Sequence, residues 1–406
     1  MSADSEKSKT SDLVPRMMAQ GYTSEDVAFR RNWVKEKTGA SLPHIAANSI
    51  PTESMRGNIE NPIGSIQMPL GVAGPLKIEG EHARGTFYVP LATTEGALVR
   101  SYERGMVLLT RAGGVSVRVY QDENRIAPVF VFDTVSEAHS FAMNLHKDFD
   151  LIKSEADSTT QHGKLMRVEC YPVGREVQVN FCFYTADAQG MNMIMNAAHK
   201  ASQWILEHSD AKDVFIFSGL NSEKRASGFL LAGGKGKKVV AGALLPARLV
   251  RMYLHATPKQ LHQTWQHTIL GHVNANAVGY NGHFANGLTA LFIACGQDVA
   301  NVANSAVGIT NFEVTDEGDL YASVTLPSLS VATVGGGTGL GSSQECLNIL
   351  GCAGNGGALK LAEIAASTLL AGELSMGAAI ASGEFVAAHE EYGRNHPHAT
   401  SSDEAS

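Results

Sequence analysis

The sequence predicts an α+β protein: a large helix-rich domain around a central buried helix, with a small ferredoxin-like domain inserted into it. Two patterns carry this reading. Between residues 115 and 217 the chain alternates strand, helix, two strands, helix, strand, which is the order of a ferredoxin-like unit. From residue 246 onward, helical segments at 246–258, 285–305, 357–371 and 373–391 are rich in Ala and other small residues, which let helices approach closely. At 406 residues the chain is long enough to build more than one core.

In chain order, residues 1–50 read as an N-terminal helical segment. Its helix spans 24–38, with Ser24 placed to cap it and Gly39 to stop it. Residues 51–114 begin the large domain, and Gly and Pro punctuate 57–80 into short strands and turns. The insert occupies 115–217. Val115–Tyr120 and Pro128–Phe132 are strand pieces, and Val135–Leu151 has helical spacing. Lys164–Cys170 and Glu176–Tyr184 alternate apolar and polar residues, with Val177, Val179, Phe181 and Phe183 on one face. Pro172-Val173-Gly174 joins these two as a hairpin. Met191–His208 is a helix and Val214–Phe217 a last strand. The large domain resumes over 218–394, with a strand-and-glycine interlude at 319–341, and 395–406 is a mobile tail.

The net charge of -8 argues against a nucleic-acid partner. Five scattered cysteines with no CxxC pair support neither a disulfide framework nor a zinc knuckle, and predict reduced thiols in the cytoplasm. The first residues are polar, with no apolar run of a signal peptide, and no stretch of 18 uniformly apolar residues is evident. The expectation is a soluble protein. No HExxH occurs, and His267, His272 and His283 lack a carboxylate at ligand spacing, so no metal is expected. The run from Gly233 to Lys238 fails the spacing of a phosphate-binding loop.

Four residues stand out by context. Asp298 follows an apolar helical run, so it is either a buried acid that needs a cation or a cap exposed after Gly296. Glu95, between two apolar stretches, either faces a ligand or opens a helix. His389 ends an apolar helix, where the helix dipole alone favours it. Lys224 by itself reads as a solvated charge.

Strung together, the segments resemble one family. Glu60-Asn-Pro-Ile-Gly, Gly71-Val-Ala-Gly-Pro-Leu and Pro90-Leu-Ala-Thr-Thr-Glu-Gly are similar to substrate-side segments of hydroxymethylglutaryl-CoA reductases. Asp187-Ala-Gln-Gly-Met-Asn-Met resembles the family's nucleotide motif. Gly279-Tyr-Asn-Gly-His-Phe-Ala-Asn, Gly296-Gln-Asp, Thr333-Val-Gly-Gly-Gly-Thr and Ala371-Gly-Glu-Leu-Ser follow in the family's order, over roughly residues 14–394. The motifs match the class found in eukaryotes and archaea. The resemblance implies a four-electron reduction of 3-hydroxy-3-methylglutaryl-CoA to mevalonate and CoA with two NADPH or NADH, and a homodimer with a shared active site. It makes the inserted domain the NAD(P)-binding one and the large domain the one that holds the CoA thioester.

By position, the family's catalytic set falls on Glu95, Lys224, Asp298 and His389. Lys224, salt-bridged to a buried Asp298, would face the oxygen that gains negative charge. A protonated Glu95 would supply a proton, its pKa raised by burial or a nearby acid, and His389 would protonate the departing thiolate. Substrate contacts fall on Ser101, Arg104, Ser218, Glu223, Arg225, His283 and Asn286. Nucleotide contacts fall on Asp187, Gln189, Gly190, Met191, Asn192, Gly335, Gly336 and Gly337.

Some positions depart from the family. Where it holds the substrate's free carboxylate with Arg and Lys, this chain has Ile126, with Arg125 one place off, and Gln266. Thr160-Gln161 stands where the family has the Ser-Arg pair that meets the adenosine-side phosphate, which weakens the case for NADPH over NADH. The alternatives are a paralogue that reduces another acyl-CoA or prefers NADH, and a non-catalytic homologue that binds CoA or a nucleotide.

Overall fold

The computed structural model describes residues 13–16, 21–47 and 49–383. Its strands are β1 (Leu70–Glu79), β2 (Arg84–Ala92), β3 (Val115–Ile126), β4 (Val129–Val131), β5 (Lys164–Val173), β6 (Glu176–Tyr184), β7 (Asp213–Phe215), β8 (Gly236–Leu245), β9 (Ile309–Val314) and β10 (Leu320–Leu329). Its longer helices are α1 (Ser24–Thr38), α2 (Leu98–Arg111), α3 (Val135–Asn144), α4 (Phe149–Asp157), α5 (Met191–Glu207), α6 (Ala247–Leu254), α7 (Pro258–Asn274), α8 (Phe284–Ala294), α9 (Gly341–Ile349) and α10 (Ala358–Ser382).

β3 belongs to two sheets. Ser116–Glu123 pairs antiparallel with β8, in a sheet ordered β2–β1–β3–β8–β10–β9. Its last residues, Asn124–Ile126, pair with Phe181–Phe183 of β6, in an antiparallel sheet ordered β7–β4–β6–β5. Each sheet has a core of its own. Val177, Val179, Phe181 and Phe183 alternate on β6 and are at most 1% exposed, packed with Phe130, Ile152, Ile194 and Ala197. Asn180 and Cys182, on the opposite face, are fully buried too, so the middle of β6 is covered on both faces although its sequence alternates. The β5–β6 turn is two residues long, with Val173 paired to Glu176 and Gly174 in the left-handed region at φ 60°.

The first sheet packs on α2, α8 and α10. α10 is buried along most of its 25 residues, which makes it the central helix the composition predicts. It is also long and apolar enough to cross a membrane, although no such run is evident in the bare letters; 78% of its most apolar stretch lies inside the protein. Two glutamates lie buried on it. The Glu363 carboxylate accepts backbone N–H bonds from Glu81 (3.1 Å), His82 (2.9 Å) and Ala83 (2.6 Å), fixing the β1–β2 turn to the core. Glu363→Ala strips three amides of a charged acceptor, and its expected cost is roughly 3–5 kcal/mol of stability. A urea unfolding midpoint that moves by less than the equivalent of about 1 kcal/mol would show that the turn is not anchored this way.

Several boundaries differ from the sequence expectation. Thr23, not Ser24, caps α1, in a reciprocal capping box with Asp26, while Gly39 does close it at φ 72°. The helical run expected over 246–258 is α6, and a second helix, α7, follows it unforeseen behind Thr257, Pro258 and Gln260. The run expected over 285–305 breaks after Ala294, because Gly296 takes φ 64°. The two expected helices at 357–371 and 373–391 are one helix up to Ser382. The five cysteines are free thiols. Burial pushes Cys170 up to about 11 and Cys182 and Cys352 up to about 12. The native protein at pH 8 should therefore react with a thiol reagent only slowly, and fully once denatured.

Candidate active site

Lys224 and Asp298 meet in one chain. The ammonium lies 2.7 Å from a carboxylate oxygen, with the two side chains 46% and 36% exposed. Lys224 reaches this contact from a loop in which both it (φ 55°) and Ser222 (φ 52°) are left-handed, a conformation that costs a side-chain-bearing residue roughly 1–2 kcal/mol each. Asp298 is not buried as expected. The break at Gly296 makes it the cap of the turn Val299–Asn301, where it accepts the Ala300 N–H at 3.2 Å. The two readings of Asp298 are thus compatible: one residue caps a turn and holds a lysine. The hydrogen bond that Lys224 donates to Asp298 raises the Lys224 pKa above its ordinary value, with burial working against it. Deprotonation of this ammonium therefore lies above the ordinary lysine range and does not limit activity near neutral pH.

Glu95 is also exposed, which corrects the expectation of burial. Both its oxygens accept from Asn286 Nδ2, at 3.1 and 3.2 Å. Asn286 stands near the start of α8, one turn beyond His283. The His283 ring stacks on Tyr102, with centroids 5.3 Å apart. Ser101 and Arg104, on the same helix as Tyr102, bind Ser375 of α10: Ser101 Oγ to Ser375 Oγ at 3.0 Å, and the Arg104 guanidinium to its hydroxyl (2.9 Å) and carbonyl (2.7 Å). These contacts dock α2 onto the central helix beneath Glu95.

The loop that carries Lys224 is tied down from below. Glu223 is ion-paired with Lys235, a lysine with no exposed surface whose pKa burial lowers despite that partner. Sequence reasoning passed over Lys235 when the glycine run failed as a phosphate loop; its signal was a lysine between Gly234 and Gly236, both left-handed. Arg125 is buried, bonded to the carbonyls of Gly233 and Gly234 and lying over the Phe229 ring at 4.9 Å. Ile126 is fully buried, and Gln266 is exposed on α7. Ser218 Oγ accepts the Leu220 N–H at 3.4 Å, and Arg225 is exposed.

The two glycine-rich motifs expected to hold a nucleotide form one surface. Ala188 and Val334 make a bridge, and the Thr333 amide donates to the Asp187 carbonyl at 2.9 Å. The Asp187 side chain is already engaged, accepting N–H bonds from Gly356 (2.7 Å) and Ala358 (3.0 Å) at the start of α10. It acts here as a helix-terminal anchor. Gly190, at φ 72°, precedes α5, and Asn192 is exposed in its first turn. Gln189 offers its carbonyl to Asn124 Nδ2 at 2.8 Å, and Met191 sulfur lies 3.3 Å from that nitrogen. Gly335 (φ 85°) and Gly336 (φ 56°) are exposed, with open space where a Cβ would stand, while a Cβ on Gly337 would meet the Gly296 carbonyl. Thr160 Oγ1 contacts Met193 sulfur at 2.9 Å, and Gln161 is exposed beside it. His389 lies outside the described residues. Among those described, no group of three metal-ligating side chains occurs.

The described residues thus present an ammonium held by an acid, a hydrogen-bonded carboxylate and an exposed glycine-lined surface. The family model for hydroxymethylglutaryl-coenzyme A reductase matches residues 26–394. A 3-hydroxy-3-methylglutaryl-coenzyme A reductase of Methanocaldococcus jannaschii is 42% identical over 398 residues, covering 96% of this chain and 98% of that protein. One from Aeropyrum pernix is 43% identical over 383 residues, covering 92% and 91%. The chain belongs to the hydroxymethylglutaryl-coenzyme A reductase family. Its fold is similar to the class II reductase of Streptococcus pneumoniae solved with NADPH, with a TM-score of 0.68 at 18% identity, covering 87% and 86% of the two chains.

Proposed function

We propose that this chain reduces 3-hydroxy-3-methylglutaryl-CoA to mevalonate and CoA, consuming two NAD(P)H, at a site organised by Lys224 and Asp298. The contact between those two side chains carries the reading. Reduction of a thioester, and then of the aldehyde, puts negative charge on the carbonyl oxygen. A cation fixed beforehand at that point stabilises the charge without reorganisation. Asp298 fixes it. By the resemblance, Glu95, oriented by Asn286, is the acid on the path of the proton to the new alcohol. By the resemblance, His389 protonates the departing CoA thiolate.

The surface made by 187–192 and 333–337 fits a dinucleotide. Gly335 and Gly336 leave backbone uncovered for close approach, and the start of α5 offers free amides to a phosphate. A bound reduced nicotinamide supplies the hydride for each step. The β7–β4–β6–β5 order with helices α3 to α5 supports a ferredoxin-like insert for this task, beginning near Asn124 rather than at 115, because Val115 and Val117 pack in the larger core and Ser116–Glu123 pairs with β8; the large domain then takes 51–123 and 218–394. Neutral Thr160 and Gln161 support weak discrimination between NADPH and NADH, since a lost Arg–phosphate bond is worth about 1.5–3 kcal/mol. Unpaired thiols support a reducing, cytoplasmic setting.

The Glu95–Asn286 and Lys224–Asp298 pairs stand at opposite ends of α8. That helix has 11 residues, so it is about 16 Å long. A site that needs both pairs around one carbonyl is best assembled from two copies of the chain, and we read the protein as a homodimer. The test is steady-state turnover of this thioester with NADPH and NADH. Two cofactors oxidised per CoA released is the expected ratio; one per CoA, or no turnover with either, sinks the reading.

A further inference from the structure

We propose that Glu373 is a positioning residue for the reaction: it holds a hydrogen on His283 Nδ1, so that in the neutral ring Nε2 is the hydrogen-bond acceptor for a donor group of the acyl-CoA. This rests on the reading of the site as a thioester reductase.

Glu373 is 4% exposed on α10. Its oxygens accept N–H bonds from Gly282 (2.8 Å) and His283 (2.8 Å) and the Thr310 hydroxyl (2.7 Å), so its negative charge is well solvated by protein donors. Two oxygens then stand 3.3 Å from His283 Nδ1: the Tyr102 hydroxyl and Glu373 Oε1. A tyrosine hydroxyl can donate or accept and so leaves the tautomer open. A carboxylate can only accept. A lone pair on Nδ1 facing that carboxylate would be repelled, whereas a hydrogen there is attracted. The carboxylate therefore decides. Tyr102 stays a neutral phenol, because burial, then Glu373 and Glu95, hold its pKa well above the ordinary value.

The other nitrogen points to a ligand. His283 is nine-tenths buried, its side chain 10% exposed, yet Nε2 has no partner in the protein. A buried polar atom without a partner is costly unless something else satisfies it. The ring lies one turn from Asn286, which holds Glu95, so Nε2 belongs to the substrate side of α8. Gly372 confirms that the ring's place is built in: a Cβ there would lie 2.4 Å from His283 Cε1 and 2.6 Å from the Tyr102 ring.

The experiment is 15N correlation spectroscopy of the histidine side chains of the full chain, with kinetics on the same samples. The signal lost in His283→Gln should show hydrogen on Nδ1 and none on Nε2. Glu373→Gln should move it to the Nε2–H form and raise KM for the thioester by ~10–100-fold, the range of lost positioning contacts, with KM for the cofactor unchanged. Thr310→Val removes one Glu373 bond without touching the ring and should lower stability only. Tyr102→Phe should keep the Nδ1–H form. An Nε2–H wild-type signal, or a Glu373→Gln protein with an unmoved signal and unchanged KM, overturns the proposal. Should Glu373→Gln fail to fold, the wild-type tautomer decides alone. The tautomer is read without turnover, so an inactive wild type would sink the reductase reading and leave this result standing.

Discussion

Lys224→Ala is expected to lower kcat for the thioester on the order of 10²–10³-fold, the cost of removing one fixed donor from a developing oxyanion. KM should change far less, because the ammonium acts mainly where charge appears in the transition state. Asp298→Asn should fall nearly as far: it keeps the shape of the capping residue but releases the lysine, and the Lys224 pKa loses the hydrogen bond that holds it up. The double variant should be little worse than either single one, since the two act as a unit joined at 2.7 Å. Losses that multiply would instead show independent roles, and the site as described would be wrong.

The second large effect is a recovery. Glu95→Gln and Lys224→Ala should each be close to inactive alone. Co-expressed, they form half of all dimers as mixed pairs by random assembly, and each mixed pair has one site with both groups intact. About a quarter of wild-type activity should return. The prediction follows from α8 separating Asn286 from Asp298, with Glu95 hydrogen-bonded at one end and Lys224 ion-paired at the other. Activity that stays at the level of the separate variants would place a complete site within each chain.

Much of the fold was legible because its signals are local. Alternation along β6 and the capping chemistry around α1 depend on neighbours in sequence, and both elements formed within a residue or two of expectation. The errors came from long-range causes. Gly372 looked like a break between two helices, but it interrupts nothing. It is small because the rings of Tyr102 and His283 press on α10 there. Asp298 looked buried because its neighbours are apolar, and the left-handed turn at Gly296 brings it to the surface.

In the site, the pairing of Lys224 with Asp298 followed from motif order. The roles of Lys235 and Glu373 did not, although each could have been suspected. An acid in the middle of an apolar helix is the same oddity that drew attention to Asp298, and Glu373 showed it equally. Asp187 was read only as a ligand contact, yet its carboxylate ties the start of α10 to the loop between β6 and α5.

The position of α10 in the chain has a consequence for biosynthesis. Every strand it covers, from β1 to β10, leaves the ribosome before it does. The larger hydrophobic core thus has no centre until synthesis has passed residue 382, and its half-built sheet must wait with an apolar face uncovered. The smaller core is complete by residue 215 and can close far earlier. A nascent chain stalled shortly before Ala358 should present one protease-resistant unit and one chaperone substrate.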